Sequence, residues 1–289
     1  MNTCTVIEKS SVKSLALGGF DGLHLGHRAL LEKLGENGAV LAIENFHMDL
    51  TPGCVRSRFT DKPVILLALD RVCDLSPAEF VAYLKKEFVN LRRLVVGYDF
   101  RFGRERSAGA TELAQLFDGE TIVIPEVCVE GEGVHSTRIR ELIRKARIEE
   151  ATALLGRPHL IEGEVIRGQG LGMRRLYPTL NLEVRRFILP AEGVYATFTE
   201  VKGRCYPSVS FLGHRVSTDG SFAIETHVLD TSADLHGATE AAIWFKKRLR
   251  ANHKFDSLDK LKAQIETDIS EAQKYLAQKE PPCVNLSSN

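Results

Sequence analysis

The run Leu17-Gly18-Gly19-Phe20-Asp21-Gly22-Leu23-His24-Leu25-Gly26-His27 limits the fold more than any other stretch of this chain. An apolar segment, Leu15 to Leu17, leads into it. An amphipathic one carrying Leu30, Leu31 and Leu34 leaves it. That order reads as strand, glycine-rich turn and helix. Residues three apart share a helix face, so His24 and His27 sit together. A helix N-terminus offers free N–H groups and positive potential, and so holds phosphate. Gly26 removes a side chain where a bulky anion must approach. The segment therefore points to binding and polarising the phosphates of a nucleotide. An isolated histidine pair would be ordinary loop residues, and the strand-turn-helix setting lifts the phosphate reading above that. A zinc site is weaker still, because helical zinc pairs sit four apart with a third ligand nearby.

The rest of the first half alternates strand-like and helix-like segments. Ala39 to Ile43, Leu94 to Gly97 and Thr121 to Ile124 read as buried strands. Ser76-Pro77-Ala78-Glu79 is a capping box with proline at the first helical position, opening a helix to about Asn90. Short apolar strands between helices predict a parallel α/β sheet. Such sheets bind ligands outside the carboxyl ends of their strands. Gly18 to Asp21 and Gly97 to Phe100 both follow strands directly, so both are expected to line that crevice. A helix from Ser136 to Leu155 closes this half, and Gly156-Arg157-Pro158 stops it. The domain boundary is expected there, giving domains 1–157 and 158–289.

The second half changes character. Val194 to Glu200, Cys205 to Phe211, Phe222 to Asp230 and Ala241 to Phe245 are short, β-rich and separated by turns, which favours an antiparallel barrel or sandwich. A final helix carries Leu258, Leu261, Ile265, Ile269, Ala272 and Leu276 as one apolar stripe.

The 289 residues are enough for two cores. The 38 basic and 38 acidic residues balance, so neither nucleic acid nor an anionic membrane is an expected partner. No apolar run is long enough to span a bilayer, and Met1 to Lys13 lacks a signal-peptide core. The six cysteines are scattered without a C-x-x-C pair. They are read as reduced thiols of a cytoplasmic protein, with neither a disulfide frame nor a zinc site.

Three further constellations carry chemistry. Ser136, Thr137 and Arg140 open a helix. They read either as plain capping or as a cradle for a triphosphate or pyrophosphate. Gly168, Gly170 and Gly172 precede Pro178-Thr179-Leu180-Asn181. No helix follows them, so a dinucleotide motif is rejected in favour of a flap over phosphates. Thr179 and Asn181 share one side of a strand and offer neutral oxygen ligands to Mg²⁺. Glu225, beside His227, faces away from Ile224, Thr226 and Val228. It reads as a solvent-facing carboxylate or a general base.

These segments, in this order, resemble the bacterial bifunctional riboflavin kinase/FMN adenylyltransferase family. The resemblance also rests on Val96 to Gly103, Leu154 to Pro158, Leu189 to Ala196, Asp234 to Gly237, Leu249-Arg250 and Phe255. It implies an α/β Rossmann-like nucleotidyltransferase domain followed by an all-β, riboflavin kinase-like barrel with a C-terminal helix. It implies ATP-dependent phosphorylation of riboflavin to FMN in the second domain. The first would adenylylate FMN to FAD with release of pyrophosphate, and Mg²⁺ would serve both. His24 and His27 would then contact ATP phosphates together with Gly19, Phe20, Asp21 and Gly26. Ser136, Thr137 and Arg140 would hold pyrophosphate, and Asp99 and Phe100 would meet the flavin. In the kinase, Glu225 would be the base and Thr179 and Asn181 the Mg²⁺–nucleotide ligands. Gly168, Gly170 and Gly172 would cover the phosphates, and Arg250 and Phe255 the flavin. Two departures stand out. His135 replaces the first serine of the usual Ser-Ser-Thr, and Gly172-Met173-Arg174-Arg175-Leu176-Tyr177 alters the kinase flap. The altered flap keeps a second expectation open, a monofunctional FMN adenylyltransferase whose kinase-like domain only binds flavin.

Overall fold

A computed structural model describes residues 1–45, 47–166, 179–217 and 220–282. The phosphate flap with Gly168, Gly170 and Gly172 lies outside the described residues, as does Cys283. The chain forms two compact units, Met1–Ser136 and Thr137–Asn289.

The first unit is built on a six-stranded sheet. Its strands are β1 (Asn2–Thr3), β2 (Ser14–Gly18), β3 (Gly38–Glu44), β4 (Val64–Ala68), β5 (Arg93–Gly97) and β6 (Glu120–Ile124), in the order β1-β4-β3-β2-β5-β6. All neighbours run parallel except β1, which pairs antiparallel with β4 at one edge. The strand order reverses between β2 and β5. Their adjacent carboxyl ends form the crevice where open α/β sheets bind ligands.

Alternation along the strands explains the burial on both faces. Leu15, Leu17, Leu41, Ile65, Leu94 and Val96 point into one core, with Phe80, Leu84 and Phe88 from α2 (Pro77–Glu87) and its end. Leu113 of α3 (Ala110–Leu116) joins them. Ala16, Val40, Ala42, Val64 and Val95 point the other way, against Leu30 of α1 (Leu25–Leu31) and Leu34. Strands buried on two faces must be apolar throughout, which is why their sequences are near-continuous hydrophobic runs. The Ser76 capping box forms as expected, and α2 ends at Glu87.

The expected single helix from Ser136 to Leu155 is instead two, α4 (Ser136–Arg144) and α5 (Ile148–Leu155). The break falls at Ala146, which adopts φ +55°. Ala146 and Ile148 both bury their side chains in the core of the second unit, and that packing offsets the interrupted helix.

The second unit is a closed antiparallel barrel. Its strands are β7 (His159–Ile166), β8 (Leu180–Val184), β9 (Gly193–Val201), β10 (Arg204–His214), β11 (Phe222–Val228) and β12 (Glu240–Ala251), ordered β7-β8-β11-β10-β9-β12 with β12 closing on β7. Closure leaves no open sheet edge. Inside, Ile161, Leu182, Tyr195, Leu212, Ile224, Ile243 and Phe245 form the apolar core. Beside it Thr197, Thr199, Ser208, Ser210 and Thr226 are fully buried and bonded to one another. The terminal helix α6 (Leu258–Leu276) packs on β9 and β10, burying Asp268, Ala272 and Leu276. Leu258, expected on its apolar stripe, is half exposed.

The cysteines correct an expectation. Cys4 and Cys54 form a disulfide with Cα atoms 5.2 Å apart, and Cys205 is also disulfide-bonded. Cys73 and Cys128 are free and exposed. The Cys4–Cys54 partners are 50 residues apart and meet only because β1 lies along β4, a contact that sequence spacing does not reveal.

Candidate active sites

The first site forms at the carboxyl end of β2. The chain leaves Gly18 and turns tightly, with positive φ at Phe20, Gly22 and Leu23. Phe20 carries its ring into the core, fully buried, so it offers the turn only its backbone. A Cβ on Gly19 would meet Met48 Cε at 2.7 Å, and one on Gly26 would meet the His24 ring at 3.2 Å. Met48 Cε is the movable end of a flexible side chain, so close approach restricts Gly26, against the His24 ring, more than Gly19.

His24 caps α1. Its Nδ1 accepts the His27 N–H at 3.4 Å, which leaves Nε2 as the proton-bearing nitrogen of the neutral ring. The His24 and His27 rings stack with centroids 3.7 Å apart. Burial holds the His27 pKa well below 6.5, with His24 and Arg56 adding to the shift, so this imidazole is neutral at pH 7. Its Nδ1 is buried without a hydrogen-bond partner among the described residues. A buried, unpartnered ring nitrogen is costly unless a ligand meets it. The helix N-terminus contributes less than the sequence suggested, since α1 spans only seven residues.

Two residues fix the turn. The Asp21 carboxylate accepts the N–H groups of Asp49 (3.2 Å), Leu50 (3.1 Å) and Thr51 (2.8 Å). It ties the loop after β3 to the turn after β2 instead of standing open for a ligand. Arg56, with no exposed surface, is the second. It donates to the Phe20 carbonyl (3.3 Å), to Glu44 and the Gly53 carbonyl (3.0 Å each) and to Met48 Sδ (3.0 Å). Ser136 joins the same turn, its hydroxyl donating to the Asp21 carbonyl at 2.8 Å. Thr137 and Arg140 lie further along α4, in the second unit.

At the end of β5, Asp99 is exposed, while the Phe100 ring is buried and stacks on Phe102. The ring assigned to flavin therefore faces the core. Tyr98 is the exposed aromatic there. Its hydroxyl donates to Glu126 Oε1 at 2.9 Å, and His135 Nε2 lies 2.8 Å from the same oxygen. The bond from His135, then that from Tyr98, holds the Glu126 carboxyl below the usual carboxylate range.

The second site lies on the barrel wall. Asn181 of β8 and Glu225 of β11 stand opposite each other in register, and Thr179 immediately precedes β8. Asn181 is buried and Glu225 half-buried. Arg215, just past β10, donates Nε and Nη2 to Glu225 Oε1 at 3.0 and 2.7 Å, and Nη2 to Asn181 Oδ1 at 2.9 Å. At the next strand ends, Glu192 accepts from Asn252 Nδ2 (3.0 Å) and the His214 N–H (3.1 Å), and these bonds lower its pKa in that order.

Arg250 and Phe255 come together as expected, the guanidinium 5.5 Å from the ring centroid. Arg250 is also clasped by the buried Asp268 of α6 through bonds of 2.9–3.0 Å. Sequence reading missed Arg56, Arg215 and Asp268. Only Asp268 left a signal, a lone carboxylate on the apolar stripe between Ile265 and Ala272. Among the described residues no cluster of three or more His, Cys, Asp or Glu is arranged to hold a metal.

The parallel sheet with its switch point and the closed antiparallel barrel define a two-unit protein, a nucleotidyltransferase-like sheet followed by a barrel. Comparison with known proteins makes this specific. Residues 155–276 match the riboflavin kinase family model and residues 61–138 the FAD synthetase model. A bifunctional riboflavin kinase/FMN adenylyltransferase of Pseudomonas fluorescens is 32% identical, over 90% of this chain and 92% of its own. That of Escherichia coli K12 is 32% identical over 92% and 94%, and that of Listeria monocytogenes 29% over 93% and 94%. A solved structure from Streptococcus pneumoniae, described as a macrolide-efflux protein, superposes with a TM-score of 0.79 at 28% identity, over 97% of this chain and 98% of its own. Among the described residues here no helix is long and apolar enough to cross a membrane. The chain belongs to the bifunctional riboflavin kinase/FMN adenylyltransferase family.

Proposed function

We propose that this chain makes FAD in two ATP-dependent steps, with residues 158–289 phosphorylating riboflavin to FMN and residues 1–157 adenylylating FMN. Family membership over nearly the whole length supports both activities over a kinase domain that only binds flavin. For the roles of individual residues, the observation that carries the reading is the contrast in donor chemistry. Stacked imidazoles, of which His27 is held neutral and has a buried nitrogen without a partner among the described residues, stand at one site, and a carboxylate beside an amide at the other.

In adenylyl transfer the FMN phosphate attacks the α-phosphorus of ATP, and the bond to pyrophosphate breaks. The attacker is already an anion, so no base is needed. The enzyme must position reactants and stabilise spreading charge. His24 and His27 would donate to the phosphates through N–H groups, with Gly19 and Gly26 admitting them and the backbone of Phe20 and Asp21 lining the turn. Ser136, Thr137 and Arg140 would hold the departing pyrophosphate. Asp99 is the flavin-side residue the structure leaves exposed.

In the kinase step the attacker is a neutral hydroxyl and gains from a base, here Glu225. Thr179 and Asn181 supply a hydroxyl and an amide oxygen, neutral donors that fit Mg²⁺ arriving on ATP phosphates. When bound, Mg²⁺ would neutralise phosphate charge. Arg250 and Phe255 would cover the flavin. We further assign the protein to the cytoplasm, where ATP is available. Incubation with riboflavin, ATP and Mg²⁺, followed by chromatography of the flavins over time, tests the reading. FMN is expected first and FAD after it. FAD formed only from supplied FMN would remove the kinase half.

A further inference from the structure

One guanidinium joins the candidate base and one candidate Mg²⁺ ligand of the kinase site. Arg215 lies in the turn between β10 and β11, and the turn holds its backbone. Its N–H donates to the Ser221 carbonyl (2.9 Å), and its carbonyl accepts from Gly220 (3.1 Å). From there Nη1 reaches Ser221 Oγ (2.8 Å), while Nε and Nη2 converge on Glu225 Oε1. Nη2 is shared with Asn181 Oδ1. Arg215 and Glu225 keep 18% and 26% of their side-chain surface exposed, so the pair is only partly screened by solvent. Glu225 Oε1 is thus fully engaged, and Oε2 makes no hydrogen bond among the described residues.

We propose that Arg215 is the positioning residue of the riboflavin kinase reaction, locking Glu225 Oε1 so that Oε2 alone receives the proton of the attacking hydroxyl. The inference rests on the kinase reading of this site and on Glu225 as its base. Two physical problems make such a residue necessary. A glutamate side chain has three torsions, and a base misplaced by about 1 Å costs on the order of 10²-fold in rate. The carboxylate must also work beside the negative γ-phosphate, a repulsion that a guanidinium bonded to it offsets. In the step itself, the bond from the ribityl hydroxyl oxygen to the γ-phosphorus forms. The bond to the bridging oxygen of ADP breaks and leaves its electron pair with ADP, and the hydroxyl proton passes to Glu225 Oε2. Lysine cannot reproduce this arrangement, because an ammonium is a point charge without the planar fork that reaches Glu225 and Asn181 together.

The test uses the full chain. For R215A, kcat for FMN formation is expected to fall about 10²-fold. KM for riboflavin should stay within about threefold, because the lost group acts through Glu225 and not through the flavin, and free guanidinium should restore part of the rate. The double variant R215A/E225Q should be no slower than E225Q alone, since residues acting as a unit are non-additive. If R215A loses the barrel's thermal transition, R215K carries the test, with at least a tenfold fall in kcat expected. A kcat within threefold of wild type, or a double variant that loses a further factor of about 10², would overturn the proposal while leaving the kinase assignment standing. A wild-type protein that forms no FMN would remove the kinase assignment and this proposal with it.

Discussion

In the proposed reading, the histidine pair on the parallel sheet and the carboxylate on the barrel wall would handle the same cosubstrate, ATP, in opposite electrostatic ways. His27 is held neutral by burial, and its buried nitrogen has no partner among the described residues. Glu225 lies in an ion pair whose guanidinium also grips the neighbouring amide. The charge of the attacker accounts for the difference. A phosphate attacks without losing a proton, so the sheet site needs donors and space. A hydroxyl must lose one, so the barrel site needs an oriented base. The framing differs too. The sheet site is stiffened by backbone N–H groups converging on Asp21 and by the buried Arg56, the barrel site by side-chain pairs between adjacent strands.

This contrast can be broken most sharply at the histidines. His27→Ala should reduce FMN-to-FAD conversion about 10²- to 10³-fold, the usual scale for one lost transition-state donor. Riboflavin phosphorylation should be unchanged, and coupled flavin chromatography measures both. An unaltered FAD rate would take His27 out of the site.

The Cys4–Cys54 disulfide lies within the first unit. Cys54→Ser removes a crosslink between residues 50 apart and should destabilise the first unit of the oxidised protein by about 2–4 kcal/mol. Denaturant unfolding followed by hydrogen exchange should show the barrel amides unaffected. Equal loss in both units would contradict their treatment as separate bodies.

A smaller effect is expected at the proposed flavin end of the barrel. Asp268→Asn weakens the clasp on Arg250 and should raise KM for riboflavin several-fold, about 1 kcal/mol, with kcat changed little. Steady-state kinetics at varied riboflavin distinguishes this from a loss of chemistry.

The smallest effect concerns protons. His27 has a folded pKa well below 6.5, so the unfolded chain binds the extra proton as pH drops. Its contribution to stability is complete above about pH 6.5 and declines below it by at most about 1.4 kcal/mol per pH unit. His27→Gln should flatten that share of the decline in denaturation midpoints between pH 7 and 5.5. A midpoint for the wild type that rises on acidification would mean the ring gains a partner when protonated.

Much of this arrangement was legible because it is local. The strand, turn and helix around His24 follow from neighbouring residues, as do the Ser76 capping box and the alternation of β11. The features that were not legible depend on tertiary packing. Nothing in Arg144-Lys145-Ala146-Arg147-Ile148 announces a break, since neither glycine nor proline is present. The helix splits because Ala146 and Ile148 fill the barrel-side core. Phe100 looked like a flavin contact by its place after a strand, yet its ring completes a core with Phe102. Arg56 and Arg215 are ordinary surface-type residues by sequence. They become framing elements only when the fold brings Phe20, 36 positions away, and Asn181, 34 positions away, within reach.

Two independent sites are proposed to divide the two reactions between the sheet and the barrel. Glu225→Gln in the full chain, supplied in parallel with riboflavin or with FMN, tests that division most directly. The account predicts that FMN formation from riboflavin falls by about 10²- to 10⁴-fold while supplied FMN becomes FAD at the wild-type rate. Loss of both conversions in a folded Glu225→Gln protein, or retention of both, would contradict it.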